Sequence, residues 1–172
     1  MAEGSLVIVR LLVTGVAVLV AAGCGTTEPP PEPPVPAVES PKGLVGIDPC
    51  ALLDDSDRTK LGLDAGEPGQ DELGANCSWT GKNAAAAQIT AFTSGKGLAD
   101  LTRNRDATAG RVRLLGYPAL ETFTAHGEFC RYDVGVAADQ AVVATMHNGE
   151  PDSCSALQEL LTVVIERLPA SG

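Results

Sequence analysis

Residues 129–147, FCRYDVGVAADQAVVATMH, contain the clearest β-hairpin of the chain. Residues 130, 132, 134 and 136 are cysteine, tyrosine and two valines, and they alternate with charged or small residues such as Arg131 and Asp133. This alternation is typical of a strand with one buried face. Ala138 and Asp139 then form a tight turn into a second strand over residues 140–147. The pattern therefore predicts two antiparallel strands joined by a short connection.

A long helix is predicted after this hairpin. Its apolar residues recur at helical spacing and form one stripe: Leu157, Leu160, Leu161, Val164, Ile165 and Leu168. Asp152 or Ser153 is expected to cap the start of the helix, and Pro169 is expected to end it.

Helices and strands also alternate before the hairpin. Asp48 and Pro49 predict a helix start, and Asp54 predicts a second start whose helix ends at Gly62. The other predicted elements are strands at 77–80 and 88–93, a short helix at 97–105, and extended segments at 111–115 and 118–124. This order indicates an α+β fold, with a single antiparallel sheet of about four to six strands packed by helices.

Four cysteines belong to this predicted domain: Cys50, Cys77, Cys130 and Cys154. An even number of cysteines in an exported domain favours disulfide bonds, and three pairings are possible. We favour Cys50–Cys77 and Cys130–Cys154, because these pairs close loops of similar length in the two halves of the domain. A structural zinc site is the alternative, but the chain has no Cys-x-x-Cys pair.

The first 23 residues have the features of an export signal. An apolar run ends in the small residues Ala21, Ala22 and Gly23, directly before Cys24, and this pattern is similar to a bacterial lipobox. The run from residue 11 to residue 23 is too short for a bilayer core, which needs about 20 helical residues. We therefore predict that the signal is cleaved and that Cys24 is diacylated; the alternative is an uncleaved N-terminal helix with an incidental cysteine.

A proline-rich segment follows the predicted anchor. Seven prolines lie between residues 25 and 42, so this stretch favours extended polyproline II over helix or sheet. The predicted organisation is a signal peptide at 1–23, the lipidated cysteine and a disordered linker at 24–43, and a disulfide-bonded domain at 44–172. Val7 and Val9 are alternative translation starts.

The net charge of −10 argues against nucleic-acid binding, because the phosphate backbone would be repelled. Anionic lipid headgroups would be repelled as well, so membrane association is expected to depend on the two acyl chains at Cys24. The predicted location is the extracytoplasmic side of the cell membrane.

No residue pattern predicts a catalytic, metal or cofactor site. His126, Glu128 and His147 are the natural acid/base or metal candidates, but two histidines and one carboxylate near strand ends are more typical of surface residues. Four arginines lie within 11 positions and form a candidate patch for an anionic ligand or partner: Arg103, Arg105, Arg111 and Arg113. The alternative is that these arginines balance the surrounding acidic residues.

Several short motifs occur together in a fixed order: DPCALL at 48–53, LGL at 61–63, CSW at 77–79, GYPA at 116–119, Cys130 before an alternating strand, and Cys154 before the last helix. The combination resembles the actinobacterial cell-envelope lipoproteins known as domain of unknown function 3558, over about residues 44–169. The resemblance implies a lipid anchor and a small disulfide-bonded α+β domain, and it implies no activity.

The leading functional hypothesis is a non-enzymatic binding or accessory module of the cell envelope, which recognises a small ligand, an envelope glycan or lipid, or a protein partner. The first alternative is an envelope hydrolase that uses residues such as His126, Glu128 or Asp133 in a cleft. The second is a purely structural or secretion-accessory lipoprotein.

Overall fold

The computed structural model describes residues 35–82, 85–95, 97–103, 109–124, 128–147 and 152–171. A short 3-10 helix spans Pro49–Leu52. The other helices and strands of the described residues, in chain order, are α1 (Asp55–Leu61), β1 (Glu67–Gln70), β2 (Gly74–Thr80), β3 (Ala86–Phe92), α2 (Leu98–Arg103), β4 (Gly110–Leu114), β5 (Tyr117–Phe123), β6 (Phe129–Gly135), β7 (Ala141–His147) and α3 (Ser153–Arg167).

In the part of the chain that the structure describes, all strands belong to one antiparallel sheet of seven strands, in the order β1-β2-β3-β7-β6-β5-β4. The α+β class and the single antiparallel sheet are therefore confirmed, whereas the prediction of four to six strands is wrong. The strand that the sequence did not indicate is β1, with the sequence EPGQ and all four residues exposed. A strand with Pro and Gly and no apolar alternation is tolerated only at a sheet edge, where β1 lies.

Opposite faces of the sheet pack differently, because successive side chains of a strand point to opposite sides. We call the side that carries Cys130, Tyr132 and Val134 the packed face. It lies against α3, whose Leu157, Leu160, Leu161, Val164 and Ile165 are all buried, as the apolar stripe predicted. The side that carries Arg131, Asp133 and Gly135 is the outer face, and α2 covers part of it.

Both disulfide bonds lie on the packed face. Cys50 in the 3-10 helix bonds to Cys77 in β2, and Cys130 in β6 bonds to Cys154 near the start of α3. This is the pairing that the loop lengths favoured. One bond attaches the 3-10 helix to the sheet, and the other attaches α3 to it. All four sulfur atoms therefore take part in disulfide bonds.

Helix ends follow the capping predictions closely in α1 and less closely in α3. Asp54 and Asp57 form a capping box, and Gly62 ends α1 in the left-handed conformation at φ 68°. Asp152 holds the N-cap position of α3 but makes no side-chain cap hydrogen bond. The hydroxyl of Ser153 instead donates to the carbonyl oxygen of Glu128 at 2.8 Å, which connects the start of α3 to the beginning of β6.

Candidate functional site

The outer face contains two neighbouring cavities, which we together call the outer groove. Their volumes are about 670 Å³ and about 270 Å³. Both are lined by Val35 and Pro36 from the end of the proline-rich segment, by Leu98 of α2 and by Pro118 of β5. The larger volume falls in the range of roughly 300–1,000 Å³ that small-molecule sites usually have.

A close approach of α2 to the sheet shapes one wall of this groove. Leu98 lies over Gly135 of β6, where a Cβ atom would come within 3.1 Å of the Leu98 Cβ. Gly97, directly before the helix, has φ +55° and brings the chain against the backbone of residues 138–140. Glycines at both positions therefore let α2 pack tightly on one half of the outer face, beside the groove.

The other wall comes from the proline-rich segment, and hydrogen bonds fix its end to the domain. The Tyr117 hydroxyl donates to the Ser40 carbonyl at 2.8 Å, and the Lys42 amide donates to the Val136 carbonyl at 2.8 Å. The Gly43 amide donates to the carbonyl of Pro169 at 2.9 Å. Residues 35–43, which we predicted to be disordered linker, therefore take part in the folded domain. The sequence did not indicate this, because the acceptors and donors lie far away along the chain.

Two arginines of the predicted patch border the smaller cavity. Arg111 and Arg113 are exposed residues two positions apart on β4, so both point to the outer face. They pair in register with Leu120 and Pro118 of β5, which are buried. The terminal Nη1 of Arg113 donates to the Gly116 carbonyl at 2.6 Å. The groove thus has an apolar floor, and two arginine residues line it on the β4 side.

The remaining two arginines of the patch are placed differently. Arg103 lies at the end of α2 and forms an ion pair with Asp100 one turn earlier, and it lines neither cavity of the outer groove. Arg105 lies outside the described residues. The structure therefore brings together Arg111 and Arg113 of the four predicted residues.

The candidate acid/base residues do not form a common site among the residues that the structure describes. Glu128 is exposed just before β6, and Asp133 is buried five residues further along, about 16 Å away in extended chain. His147 is exposed at the end of β7, opposite Phe129. Neither cavity of the outer groove is lined by any of these three residues. His126 lies outside the described residues, as does Cys24.

The packed face also contains a buried polar cluster, which the sequence did not predict. The Tyr132 hydroxyl donates to a carboxylate oxygen of Glu121, and Gln158 of α3 donates to the same hydroxyl at 2.6 Å. Burial, reinforced by the hydrogen bond to Glu121, raises the pKa of Tyr132 to about 12. Tyr132 therefore stays protonated at physiological pH and links β5, β6 and α3. The only available signal was a lone glutamate in the otherwise apolar or hydroxyl-bearing strand β5.

Glu121 also lies close to the sulfur atoms of Cys130 and Cys154, with the three candidate ligand atoms within 4.8 Å of one another. Those sulfurs are bonded to each other, and a disulfide sulfur cannot act as the thiolate ligand that a metal requires. The proximity follows from the disulfide and the packing of α3, and it gives no reason to assign a metal.

Comparison with protein families gives a match over most of the chain. No curated protein matches the chain, and no solved structure matches it. No helix in the described part of the chain has the length and apolar character that a membrane span needs. The family described as "Protein of unknown function (DUF3558)" matches residues 19–167, which is most of the chain and includes every strand and helix named above. The chain therefore belongs to the DUF3558 family.

Proposed function

We propose that this protein is a non-enzymatic binding module, tethered by a diacylated Cys24 to the extracytoplasmic side of the cell membrane of an actinobacterium. Support for the tether comes from the small residues before Cys24 and from the proline-rich segment after it. Two acyl chains suffice for stable anchoring, where one chain is marginal. The two disulfide bonds of the domain fit an oxidising compartment.

The proposed binding site is the outer groove, and its ligand is a small amphipathic molecule with an anionic group. The observation that carries this assignment is the position of Arg111 and Arg113 beside the apolar floor of the groove. An apolar cavity with a few charged groups at its rim is the usual composition of a small-molecule site. Guanidinium groups are well suited to phosphate or carboxylate, because they offer two parallel N–H donors.

The overall acidity of the chain favours this rim over the rest of the surface as the place where an anion binds. With a net charge of −10, most of the surface repels anions, so an anionic ligand is expected to bind where arginine side chains are accessible. The same charge disfavours nucleic acid as the partner. The hydrolase hypothesis lacks comparable support, because Glu128 and Asp133 lie apart and neither lines the groove.

Native mass spectrometry tests this proposal. The full chain is purified in a non-ionic detergent, incubated with an extract of bacterial envelope, and released from detergent in the instrument. We expect a discrete mass adduct that fragments to an anionic amphiphile. A protein that carries no adduct after repeated incubation with extracts from actinobacterial envelopes would contradict the proposal.

A further inference from the structure

A row of polar side chains crosses the outer face next to the outer groove, and it begins at Thr122, two residues along β5 from Leu120 of the smaller cavity. In the strand register, Gln88 of β3 pairs with Thr145 of β7, and Thr145 pairs with Arg131 of β6. Arg131 in turn pairs with Thr122 of β5. Directly paired residues have Cβ atoms about 5 Å apart on the same face, so these four side chains form a continuous line. We call them the polar row.

The polar row is accessible, unlike the apolar residues on the opposite side of the same strands. Each of its four members is half-buried, whereas Ile89, Tyr132 and Ala144 of the same strands are buried on the packed face. Neither cavity of the outer groove is lined by a member of the row. The row is therefore a distinct set of residues beside the groove, built on four neighbouring strands in the middle of the sheet.

Arg131 is the charged member of the row, and the fold holds it in place. Its Nε donates to Oδ1 of Asp133 at 2.8 Å, and the Asp133 side chain is 1% exposed. The Arg131 side chain is 21% exposed, so its apolar stem is largely packed. Among the described residues, Asp133 is the one hydrogen-bond partner of this guanidinium. Asp133 thus fixes the Nε side of the Arg131 guanidinium. The N–H groups of the two terminal nitrogens can then donate hydrogen bonds to a ligand.

The neighbours of Arg131 suit a ligand rich in hydroxyl groups. The hydroxyls of Thr122 and Thr145 and the amide of Gln88 can each donate and accept hydrogen bonds, as sugar hydroxyls do. The next row of the same face pairs Phe129 with His147, one half-buried and one exposed. Phe129 lies two residues before Arg131 on β6, so both rings belong to the same face as the row, where they could pack against the apolar C–H face of a sugar ring.

We propose that the polar row binds an acidic saccharide, whose carboxylate takes the two terminal nitrogens of Arg131 in a bidentate pair. Hydroxyl groups of the same or adjacent sugars bind Thr122, Thr145 and Gln88. A line of side chains that crosses four neighbouring strands suits an extended chain rather than a single small molecule. This site uses no residue of the outer groove, so it extends the function proposed above.

Isothermal titration of the full chain in non-ionic detergent with trigalacturonic acid tests the assignment. We expect measurable binding of the acid and none of its fully methyl-esterified form, which lacks the carboxylates. Arg131→Lys keeps a positive charge beside Asp133 but loses the planar fork, and it should weaken binding by about tenfold or more. The matched control Lys60→Gln/Lys82→Gln removes two exposed positive charges elsewhere and should leave the dissociation constant unchanged.

Two further variants keep the test decisive if Arg131→Lys fails to fold. Thr145→Val and Gln88→Ala change half-buried positions of the row, and each should weaken binding by about threefold to tenfold. Equal binding by these variants and the wild type would overturn the proposal, as would equal binding of the methyl ester. Triglutamate serves as the peptide comparison: if it binds as tightly as trigalacturonic acid, the saccharide assignment is wrong.

Discussion

Arg111 of β4 lies directly opposite Leu120 of β5, so an exposed arginine borders a leucine that is only 5% exposed. On an edge strand, charged residues commonly serve to prevent pairing with other chains. Here Arg113 repeats the arrangement two residues further along, opposite the buried Pro118. The two arginines also line a cavity of about 270 Å³. Their position beside this cavity is the reason why we propose that the edge strand takes part in ligand binding.

Gly66 is expected to be essential for packing near the first disulfide bond. A Cβ atom at this position would lie 2.5 Å from Nε1 of Trp79 and 2.6 Å from Sγ of Cys77, and both residues are buried. Gly66→Ala should therefore lower the free energy of unfolding by about 1–3 kcal/mol, measured by urea denaturation. Gly110→Ala is the control, because its nearest neighbouring atom is 3.9 Å from the added Cβ. Equal stability of both variants would show that the contact at Gly66 is not limiting.

Leu115 is expected to be replaceable with a gain in stability. It forms the turn between β4 and β5 together with Gly116, at φ +51° and +86° respectively, and it is 48% exposed. Such a turn favours Asn-Gly, because asparagine tolerates positive φ better than leucine. Leu115→Asn should raise the free energy of unfolding by about 1 kcal/mol in urea denaturation. Leu115→Ala removes the same apolar surface without relieving the backbone, so a similar gain there would contradict the explanation.

Asp54 is expected to make stability depend on pH. The Asp57 amide and the Arg167 guanidinium lower the pKa of the Asp54 carboxyl to about 2, from an ordinary value of 3.8. Because the folded-state pKa is the lower one, the stabilisation is fully present well above pH 3.8 and is lost as the pH falls to about 2. Asp54→Asn keeps a capping side chain but removes the charge. Its melting temperature should be below that of the wild type at pH 7, and the difference should shrink between pH 5 and pH 2; a constant difference would contradict the assignment.

Cys24 is expected to determine where the protein is found in the cell. Cys24→Ala removes the thiol that would carry the acyl chains, so the variant should not be lipid-modified. Mass spectrometry of the wild type should show a diacylglyceryl group on an N-terminal cysteine, and the variant should lack that added mass. The wild type should extract only with detergent, whereas recovery of an unmodified wild type with its first 23 residues attached would contradict the anchor.

The sequence predicted those features that depend on residues close together in the chain. The capping box of Asp54 and Asp57, the apolar stripe of α3 and the hairpin of β6 and β7 all follow from local spacing. Strand β1 could not be predicted, because nothing in its composition indicates a strand and only pairing with β2 creates it. Local spacing carried no sign of this pairing.

The candidate sites depend on contacts between distant parts of the chain, and the sequence therefore predicted them only in part. Arg111 and Arg113 were found by their proximity in sequence. The apolar groove beside them was not, because it needs residues 35–41 to pack against α2 and β5. The polar row likewise arises only when four strands align in register, which places Arg131 between Thr122 and Thr145.

The outer groove is proposed to bind an anionic ligand through Arg111 and Arg113. The most direct measurement is the fraction of protein that carries the envelope-derived adduct in native mass spectrometry, compared between Arg111→Gln/Arg113→Gln and the charge-matched control Lys60→Gln/Lys82→Gln. Glutamine keeps the chain length and removes the charge in both pairs. We predict that the arginine variant loses the adduct by about tenfold or more, while the lysine variant binds like the wild type. Equal adduct fractions in the two variants would contradict the account.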